Sequence, residues 1–275
     1  MADVPEFDEL VARALAEDLR DGGDVTTLAT VDPGATATAR LVARQAGVIA
    51  GLPVAAKVFV TVGSAHLDPK LTDGDQVAAG DVLATVTGSL QDLLAAERTA
   101  LNFLGHLSGV ATLTRRWVDA VDGTGARIRD TRKTLPGLRA LEKYAVRCGG
   151  GVNHRMSLSD AALVKDNHVV AAGGVVAAFE RVRAAHPDLP LEVEVDTVAQ
   201  AREVIDAGAD LVLLDNMSAT DMRAVVGYAR GCAELEASGG LTLDRAREVA
   251  ETGVGYLAVG ALTHSAPVLD IGMDL

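Results

Sequence analysis

A cluster of basic residues between Arg127 and His168 is the part of this sequence best suited to chemistry. The segment has nine Lys and Arg residues against four Asp and Glu residues, so its local charge is +5, whereas the whole chain has a formal net charge of −13. Converging cations concentrate the electric field in a cleft, so the segment predicts a site for a small, highly charged anion. The nine cations are Arg127, Arg129, Arg132, Lys133, Arg139, Lys143, Arg147, Arg155 and Lys165.

Four of these cations form an Arg-Lys-Arg-Lys set that suits an anion, namely Arg132, Lys133, Arg155 and Lys165. Arg132 and Lys133 are adjacent, Arg155 follows a histidine, and Lys165 interrupts the apolar string ALVKD. A planar guanidinium group matches a carboxylate with two hydrogen bonds, and a lysine acts on a phosphate as a point charge. A buried lysine is costly unless it is paired, so Lys165 either faces the ligand or pairs with Asp166 or a neighbouring carboxylate.

Three acidic residues end neighbouring predicted strands, namely Glu194, Asp196 and Asp215. Carboxylates beside phosphate-binding cations commonly hold Mg²⁺ or hydrogen-bond ribose hydroxyls. For Asp196 the alternative is a helix N-cap for the string VAQAREVI. His154 and His168 lack partners at metal-ligand spacing, which favours anion contact and local structure over metal binding.

Glycines close the last two predicted strand–helix units. They lie in Ser238-Gly239-Gly240 and Val259-Gly260-Ala261. Backbone N–H groups in such turns can bind a phosphate, as the final loops of many α/β barrels do. Ordinary turn formation is an equal alternative.

The pattern of apolar residues predicts the elements that must position these side chains. Residues 7–19 show helical spacing, residues 35–87 show short strands separated by Asp-Gly and Ala-Gly turns, and residues 90–121 form a long helix. Gly105 and Gly109 within that helix indicate either a break or close packing.

Beyond this helix, short apolar runs alternate with amphipathic helices, which predicts strand–helix units and a parallel sheet. A functional residue type ends each run. Catalytic groups occupy the carboxyl ends of all strands in a barrel, but only one switch point in a doubly wound sheet, so the pattern favours the barrel. The runs are ARIRD, AALVKD, LEVEVD, LVLLDN, AELEAS and YLAVGA.

Composition excludes several classes of protein. A chain of 275 residues with 49% apolar residues suits one large α/β domain, or a barrel with a smaller domain. The acidity and the 3% aromatic content argue against a nucleic-acid surface. Cys148 and Cys232 have no metal-ligand spacing, the first ten residues lack an apolar run, and the uncharged run Gln45–Ala56 is too short to span a bilayer. We therefore expect a cytoplasmic, reduced protein that binds no nucleic acid and no membrane.

Several long strings, in this order, resemble the quinolinate phosphoribosyltransferase family over essentially the whole chain. The resemblance implies an α/β fold with an open-faced N-terminal α/β sandwich, residues 1–110, joined by the C-terminal tail. It also implies a C-terminal incomplete α/β (TIM-like) barrel, residues 111–275. The strings are GDVTT, LLAAERTALNFLGHLSGVATLT, DTRKTLPGLRALEKYAVRCGGGVNHR, LVKDNH, EVEVDT, LLDNM, EASGGL and VGALTHSAPVLDIGMDL.

The resemblance also implies a reaction. Quinolinate and phosphoribosyl pyrophosphate become nicotinate mononucleotide, pyrophosphate and CO₂, with Mg²⁺ as cofactor, in de novo NAD biosynthesis. The implied catalytic residues are Lys133, Glu194 and Asp215, of which Glu194 and Asp215 hold Mg²⁺ directly or through water. The implied substrate-binding residues are Arg98, Thr131, Arg132, Lys133, His154, Arg155, Lys165, Glu194, Asp215, Ser238, Gly239, Gly240, Val259, Gly260 and Ala261.

Within that set the resemblance assigns separate roles. Arg98, Arg132, His154, Arg155 and Lys165 bind the quinolinate carboxylates, Lys133 lies between quinolinate and pyrophosphate, and the last two loops bind the 5′-phosphate. The protein would be a homodimer with shared active sites, or a hexamer of dimers, with Arg98 given to the partner's site.

Two alternatives remain at this point. One is a phosphoribosyltransferase for a monocarboxylate such as nicotinate, without decarboxylation. The other is a non-catalytic anion sensor or carrier on the same barrel.

Overall fold

The computed structural model describes residues 3–275 and separates them into two compact units. Unit 1 contains residues 3–115, Thr134–Gly150 and Leu262–Leu275; unit 2 contains Arg116–Lys133 and Gly151–Ala261. The domain boundary expected at residue 110 stays a prediction.

The elements follow one another in a regular order. The strands are β1 (Thr36–Ala43), β2 (Gly47–Val48), β3 (His66–Pro69), β4 (Gln76–Val77), β5 (Val82–Ser89), β6 (Arg127–Arg129), β7 (Ala162–Val164), β8 (Leu191–Val195), β9 (Leu211–Asp215), β10 (Glu234–Ser238), β11 (Tyr256–Ala258) and β12 (Ile271–Asp274). The helices are α1 (Asp8–Leu19), α2 (Val25–Thr30), α3 (Leu52–Val62), α4 (Leu90–Ala120), α5 (Arg139–Cys148), α6 (Asp166–Ala172), α7 (Val175–Ala185), α8 (Val198–Asp206), α9 (Ala219–Ala229), α10 (Ala246–Ala250) and α11 (Ala261–His264), with a 3-10 turn at Leu243–Arg245.

Unit 1 is built on an antiparallel sheet in the order β12-β1-β5-β3, with β2 and β4 paired separately. The tail strand β12 pairs with β1, so the two ends of the chain share one sheet. Helices α1 and α3 pack against each other, and α3 also packs on β3. This is the expected α/β sandwich with the C-terminal tail joined to it.

The apolar segment around α3 was expected to be β-rich, and that prediction was wrong for residues Leu52–Val62. Asp73 lies in a distant turn and accepts hydrogen bonds from the N–H groups of Gly51 and Leu52 at 2.7 and 3.0 Å. It therefore caps the helix N-terminus, where backbone donors lack partners within the helix. The cap comes from another part of the chain, so the local pattern did not reveal it.

Unit 2 is a parallel sheet in the order β6-β11-β10-β9-β8-β7, with helices α6 to α10 between its strands. Among the described residues, the edge strands β6 and β7 do not pair with each other, and Arg129 of β6 forms only an isolated bridge to Val152, which precedes β7. The ring of strands is therefore incomplete, which confirms the incomplete α/β barrel.

Residues alternate between two faces along the barrel strands. Val193, Val195, Val212 and Leu214 are buried aliphatic residues on one face. The alternate positions of β8 and β9 include Glu192, Glu194, Leu213 and Asp215. Because alternate residues of a strand point to opposite faces, the same strands build the apolar layer and present polar groups on the other side.

Among the described residues, none of the helices combines the length and apolarity needed to cross a membrane.

Candidate active site

A cavity of about 380 Å³ opens in unit 2 at the carboxyl ends of the barrel strands. Thr131–Lys133 come shortly after β6, Lys165 directly follows β7, and Asp215 and Ser238 are the last residues of β9 and β10. The cavity is lined by Thr131, Arg132, Lys133, His154, Arg155, Leu163, Lys165, Glu194, Leu213, Asp215, Glu236, Ser238 and Ala258. Nine residues of the predicted substrate site therefore meet in one cavity.

Four cations face this cavity under different constraints. Lys165 pairs with Glu194 across the strand ends and keeps a side chain that is 45% exposed. Arg155 donates from Nη1 to the carbonyl oxygen of Ala161 at 2.8 Å. Burial, and then the like charge of Arg132, lower the pKa of Arg155. Like charges that line one cavity favour the binding of an anionic ligand there.

The sequence left two alternatives for Lys165, contact with a ligand or pairing with a carboxylate, and the structure is compatible with both. Lys165 faces the cavity and also pairs with a carboxylate, which is Glu194 rather than Asp166. It follows the apolar strand instead of interrupting it, and its backbone N–H donates to Nδ1 of His168 at 3.0 Å. His168 thus supports the local turn, as expected.

His154 is fixed by its backbone and by one ring nitrogen. The buried carboxylate of Asp130 accepts the His154 N–H at 2.8 Å, and the Arg155 N–H donates to His154 Nδ1 at 2.7 Å. Since Nδ1 accepts this hydrogen bond, the proton of the neutral ring resides on Nε2. Nε2 lies 2.8 Å from Oε2 of Glu192 and 3.6 Å from Oε1 of Glu236.

A charged layer lies inside the barrel beneath these cations. Arg129 Nη1 donates to Oε2 of Glu236 at 2.6 Å, and its guanidinium carbon lies 4.8 Å from the centre of the Tyr256 ring. Burial raises the pKa of Glu192 to about 7, although Arg129 and other cations act to lower it. Burial, followed by the charge of Glu192, likewise raises the pKa of Glu236 to about 7. Burial opposes the charged form of Arg129, but the Glu236 carboxylate outweighs it and raises the Arg129 pKa.

The sequence-based predictions did not include Glu192 and Glu236, and they included Arg129 only as a member of the basic cluster. A signal was present: Glu192 stands two residues before Glu194, and Glu236 two residues before Ser238. The period of two in a strand places both members of each pair on one face.

Glu194 and Asp215 are suited to Mg²⁺. Both line the cavity from the ends of adjacent strands β8 and β9. One Glu194 oxygen pairs with Lys165, and one Asp215 oxygen accepts from Nδ2 of Asn216 at 2.6 Å. Each carboxylate has a second oxygen, and hard oxygen donors suit Mg²⁺ with several water ligands retained. Asp196 is exposed, and the helix cap expected from it is made by its neighbour Thr197 instead.

Other predicted site residues lie outside the cavity lining. Gly239 and Gly240 follow Ser238 with φ of 84° and 57°, and a Cβ on Gly239 would meet the Asn216 side-chain oxygen at 2.4 Å. A non-glycine residue would therefore be strained here and would clash. Val259, Gly260 and Ala261 connect β11 to α11.

Four members of the basic cluster belong to unit 1 or serve other contacts. Arg139, Lys143 and Arg147 lie on α5 in unit 1, and Arg127 lies 4.6 Å from the centre of the Tyr256 ring. The prediction of one basic site thus holds for only part of the cluster. Arg98 lies on α4 in unit 1, with a side chain that is 68% exposed and 3.9 Å from Glu97.

The fold and the cavity define an α/β-barrel protein with cations and carboxylates gathered at its strand ends. The sequence matches two family descriptions: "Quinolinate phosphoribosyl transferase, N-terminal domain" over residues 24–108 and "Quinolinate phosphoribosyl transferase, C-terminal domain" over residues 110–274. The chain belongs to the quinolinate phosphoribosyltransferase family.

Individual relatives agree with this assignment. A nicotinate-nucleotide pyrophosphorylase [carboxylating] of Mycobacterium leprae (strain TN) is 52% identical, covering 98% of both chains. A quinolinate phosphoribosyltransferase [decarboxylating] of Nicotiana tabacum is 37% identical over 97% of this chain and 81% of its own. The solved structure of the nicotinate-nucleotide pyrophosphorylase from Francisella tularensis superposes with a TM-score of 0.95 at 36% identity, covering 99% of this chain and 98% of that one.

Proposed function

We propose that this protein transfers the phosphoribosyl group of phosphoribosyl pyrophosphate to quinolinate, with decarboxylation, in the de novo synthesis of NAD. The products are nicotinate mononucleotide, pyrophosphate and CO₂. One observation carries the proposal: Arg132, Lys133, Arg155 and Lys165 face one cavity together with the carboxylates of Glu194 and Asp215. That combination suits a dicarboxylate acceptor and a ribosyl donor with several phosphates.

The first step exchanges one bond at the ribosyl carbon C1′. The bond from C1′ to pyrophosphate breaks as the quinolinate ring nitrogen forms its bond to C1′, and the transition state resembles an oxocarbenium ion. Negative charge develops on the departing pyrophosphate, where Lys133 stabilises it. No protein nucleophile is needed, so catalysis depends on positioning and on electrostatic stabilisation.

The second step releases the 2-carboxylate. The bond from C2 to the carboxylate breaks, CO₂ departs, and the electron pair left at C2 is stabilised by the cationic ring nitrogen before a proton replaces the carboxylate. Arg132, His154, Arg155 and Lys165 bind the two carboxylates, with Arg98 as a further contact. A cavity that separates a carboxylate from water makes this loss easier.

Mg²⁺ is the proposed cofactor, held by Glu194 and Asp215 directly or through water. When bound, it neutralises part of the pyrophosphate charge. The two carboxylates also hydrogen-bond the ribose hydroxyls. Thr131 and Ser238 line the same cavity, and the loops Ser238-Gly239-Gly240 and Val259-Gly260-Ala261 bind the 5′-phosphate through their backbone N–H groups.

The proposed assembly is a cytoplasmic homodimer with shared active sites, or a hexamer of dimers. Arg98 supports the shared site because its side chain is exposed on a helix that precedes the barrel strands in the chain.

A product assay with quinolinate labelled in its 2-carboxylate tests the proposed function. We expect labelled CO₂ and nicotinate mononucleotide in equal amounts, and only when both phosphoribosyl pyrophosphate and Mg²⁺ are present. Turnover of nicotinate without CO₂ would favour a monocarboxylate transferase. Quinolinate binding without any turnover would favour an anion sensor.

A further inference from the structure

Glu192 is buried beneath the cavity, yet the proposed reaction assigns it no role. The residue is 2% exposed, and neither carboxylate oxygen has a hydrogen-bond partner among the described residues. The nearby Glu236 differs, because Arg129 donates to one of its oxygens. The approach of His154 Nε2 to Glu192 at 2.8 Å is therefore a close electrostatic contact rather than an aligned hydrogen bond.

Such a carboxylate weakens the fold. Buried polar groups without hydrogen bonds cost free energy, and barrel interiors are ordinarily filled by branched aliphatic side chains. An apolar residue at position 192 would avoid that cost. Buried polar groups without hydrogen bonds are found mainly at functional sites, where a required geometry is kept although it lowers the stability of the fold.

The surroundings of Glu192 indicate which geometry it serves. It lies close to His154 Nε2, while His154 Nδ1 accepts the Arg155 N–H, so both ring nitrogens have a close neighbour. Its charge also acts on Arg155, the neighbouring residue of the cavity wall. Glu192 itself does not line the cavity, and its one close contact among the lining residues described above is with His154. The charge of Glu192 also acts on Lys165 and Glu236, which line the cavity.

We propose that Glu192 is a positioning residue that holds His154 in the orientation required to bind a quinolinate carboxylate. The proposal rests on the proposed function of the cavity. It makes Glu192 a determinant of quinolinate affinity, with no direct effect on phosphoribosyl pyrophosphate.

The sign of the effect separates positioning from simple electrostatics. Removing a negative charge close to a dianion site should strengthen dianion binding by Coulomb attraction alone. Loss of positioning should weaken it, by roughly 10-fold for one charge-assisted contact. The melting temperature separates positioning from a structural role. Removing a carboxylate that is needed for folding would lower the melting temperature. Removing a carboxylate without hydrogen bonds would leave the melting temperature unchanged or raise it.

Glu192→Met and Glu192→Gln test the proposal in the full-length protein. Methionine matches the length without polar atoms, and glutamine returns one oxygen to His154. We expect Glu192→Met to raise the quinolinate Kd and KM roughly 10-fold, with kcat and the KM for phosphoribosyl pyrophosphate nearly unchanged. Glu192→Gln should lie between Glu192→Met and the parent protein. Both variants should melt at or above the parent temperature.

Glu203→Met, on the exposed surface of α8, is the matched control and should behave as the parent does. Quinolinate binding by Glu192→Met that equals or exceeds that of the parent would overturn the proposal. So would a Glu192→Gln protein no tighter than Glu192→Met, or a lowered melting temperature together with loss of both ligands. If the parent protein fails to bind quinolinate in the same calorimeter, the proposed function itself fails, which is a distinct result.

Discussion

The cations of the cavity differ in their exposure to solvent and in their hydrogen bonds. Lys133 is exposed, and its backbone N–H donates to Oγ1 of Thr131 at 3.0 Å. Arg155 is partly buried and tied to a carbonyl oxygen. The exposed Lys133 is therefore suited to meet the leaving group, whereas the partly buried Arg155 is suited to bind a carboxylate.

We predict that Lys133→Ala and Arg155→Ala each lose turnover by roughly 10²–10³, the usual effect of one charge-assisted donor in an active site. Steady-state kinetics and thermal melting measure the two properties separately. Arg245→Ala, at an exposed ion pair with Glu248, is the control and should retain full activity. Near-normal turnover in a folded variant would remove that residue from the mechanism.

Glu194→Gln and Asp215→Asn should mainly impair the use of phosphoribosyl pyrophosphate and Mg²⁺. Quinolinate affinity should suffer less, because a carboxylate repels a dianion rather than binding it. Titration calorimetry with each ligand checks this. The assignment is reversed if quinolinate binding collapses in both variants while phosphoribosyl pyrophosphate still binds.

The pKa of Glu236 predicts a pH-dependent stability difference. Since the folded-state pKa, about 7, exceeds the ordinary 4.5, the folded state binds more protons between these values. The contribution of Glu236 to stability is thus full below pH 4.5 and is lost as the pH rises to 7. Glu236→Gln should therefore gain stability relative to the parent between pH 4.5 and 7, by on the order of 1–3 kcal/mol.

Urea unfolding at pH 5 and at pH 7.5 measures this difference. Glu203→Gln, at an exposed position, should show the same difference from the parent at both pH values. A pH-independent difference for Glu236→Gln would mean that His154, Glu192 and Arg129 around it hold its carboxyl in one protonation state throughout.

Among the secondary-structure elements, α4 contains two glycines that allow another part of the chain to pack closely against it. The helix continues unbroken through Gly105 and Gly109, so of the two alternatives left open, a break is excluded. The close packing is with the C-terminal tail rather than with another helix. A Cβ on Gly109 would lie 2.1 Å from the carbonyl oxygen of Pro267, and the Leu269 N–H donates to the Gly105 carbonyl at 3.0 Å. The glycines thus let the C-terminal tail approach the helix backbone.

Gly109→Ala should destabilise the protein by roughly 1–3 kcal/mol, since backbone must move to admit the methyl group. Gly227→Ala is the matched control, because Gly227 lies within α9 with no atom within 4 Å of the added Cβ. Its helix should gain about 0.5–1 kcal/mol from the better propensity of alanine. Chemical denaturation compares the two, and equal effects would contradict the packing explanation.

For the whole molecule, the proposal of a shared active site predicts complementation between two inactive variants. Arg98→Ala chains and Lys133→Ala chains should each be inactive, yet a mixed dimer with reciprocal contacts would carry one undamaged site. With random pairing, about half of the dimers are mixed, so roughly a quarter of all sites should recover.

Activity after subunit exchange, with exchange followed by mass spectrometry, decides the matter. If both residues served the same chain's site, every site would keep one lesion and mixing would restore nothing. If mass spectrometry confirms subunit exchange and no activity is recovered, the shared-site proposal is contradicted.

Local sequence patterns were sufficient to predict several elements and site residues of this protein. The strands of unit 2, the long helix α4 and the residues that follow strands β6 to β10 were predictable, because period and turn chemistry are local properties of the chain. The convergence of Arg132, Lys133 and Lys165 also followed, since the carboxyl ends of parallel strands meet at one edge. Arg155 lies in the loop between α5 and β7, so strand order did not predict its place.

Only the tertiary structure decided which charges became partners. Arg129 donates to Glu236, a residue 107 positions away, and the cap of α3 comes from Asp73. The lack of a hydrogen bond at Glu192 was likewise visible only in the folded structure. Burial and pairing depend on residues that are distant in the chain, and the cost of an isolated charge exists only once the barrel has excluded water around it.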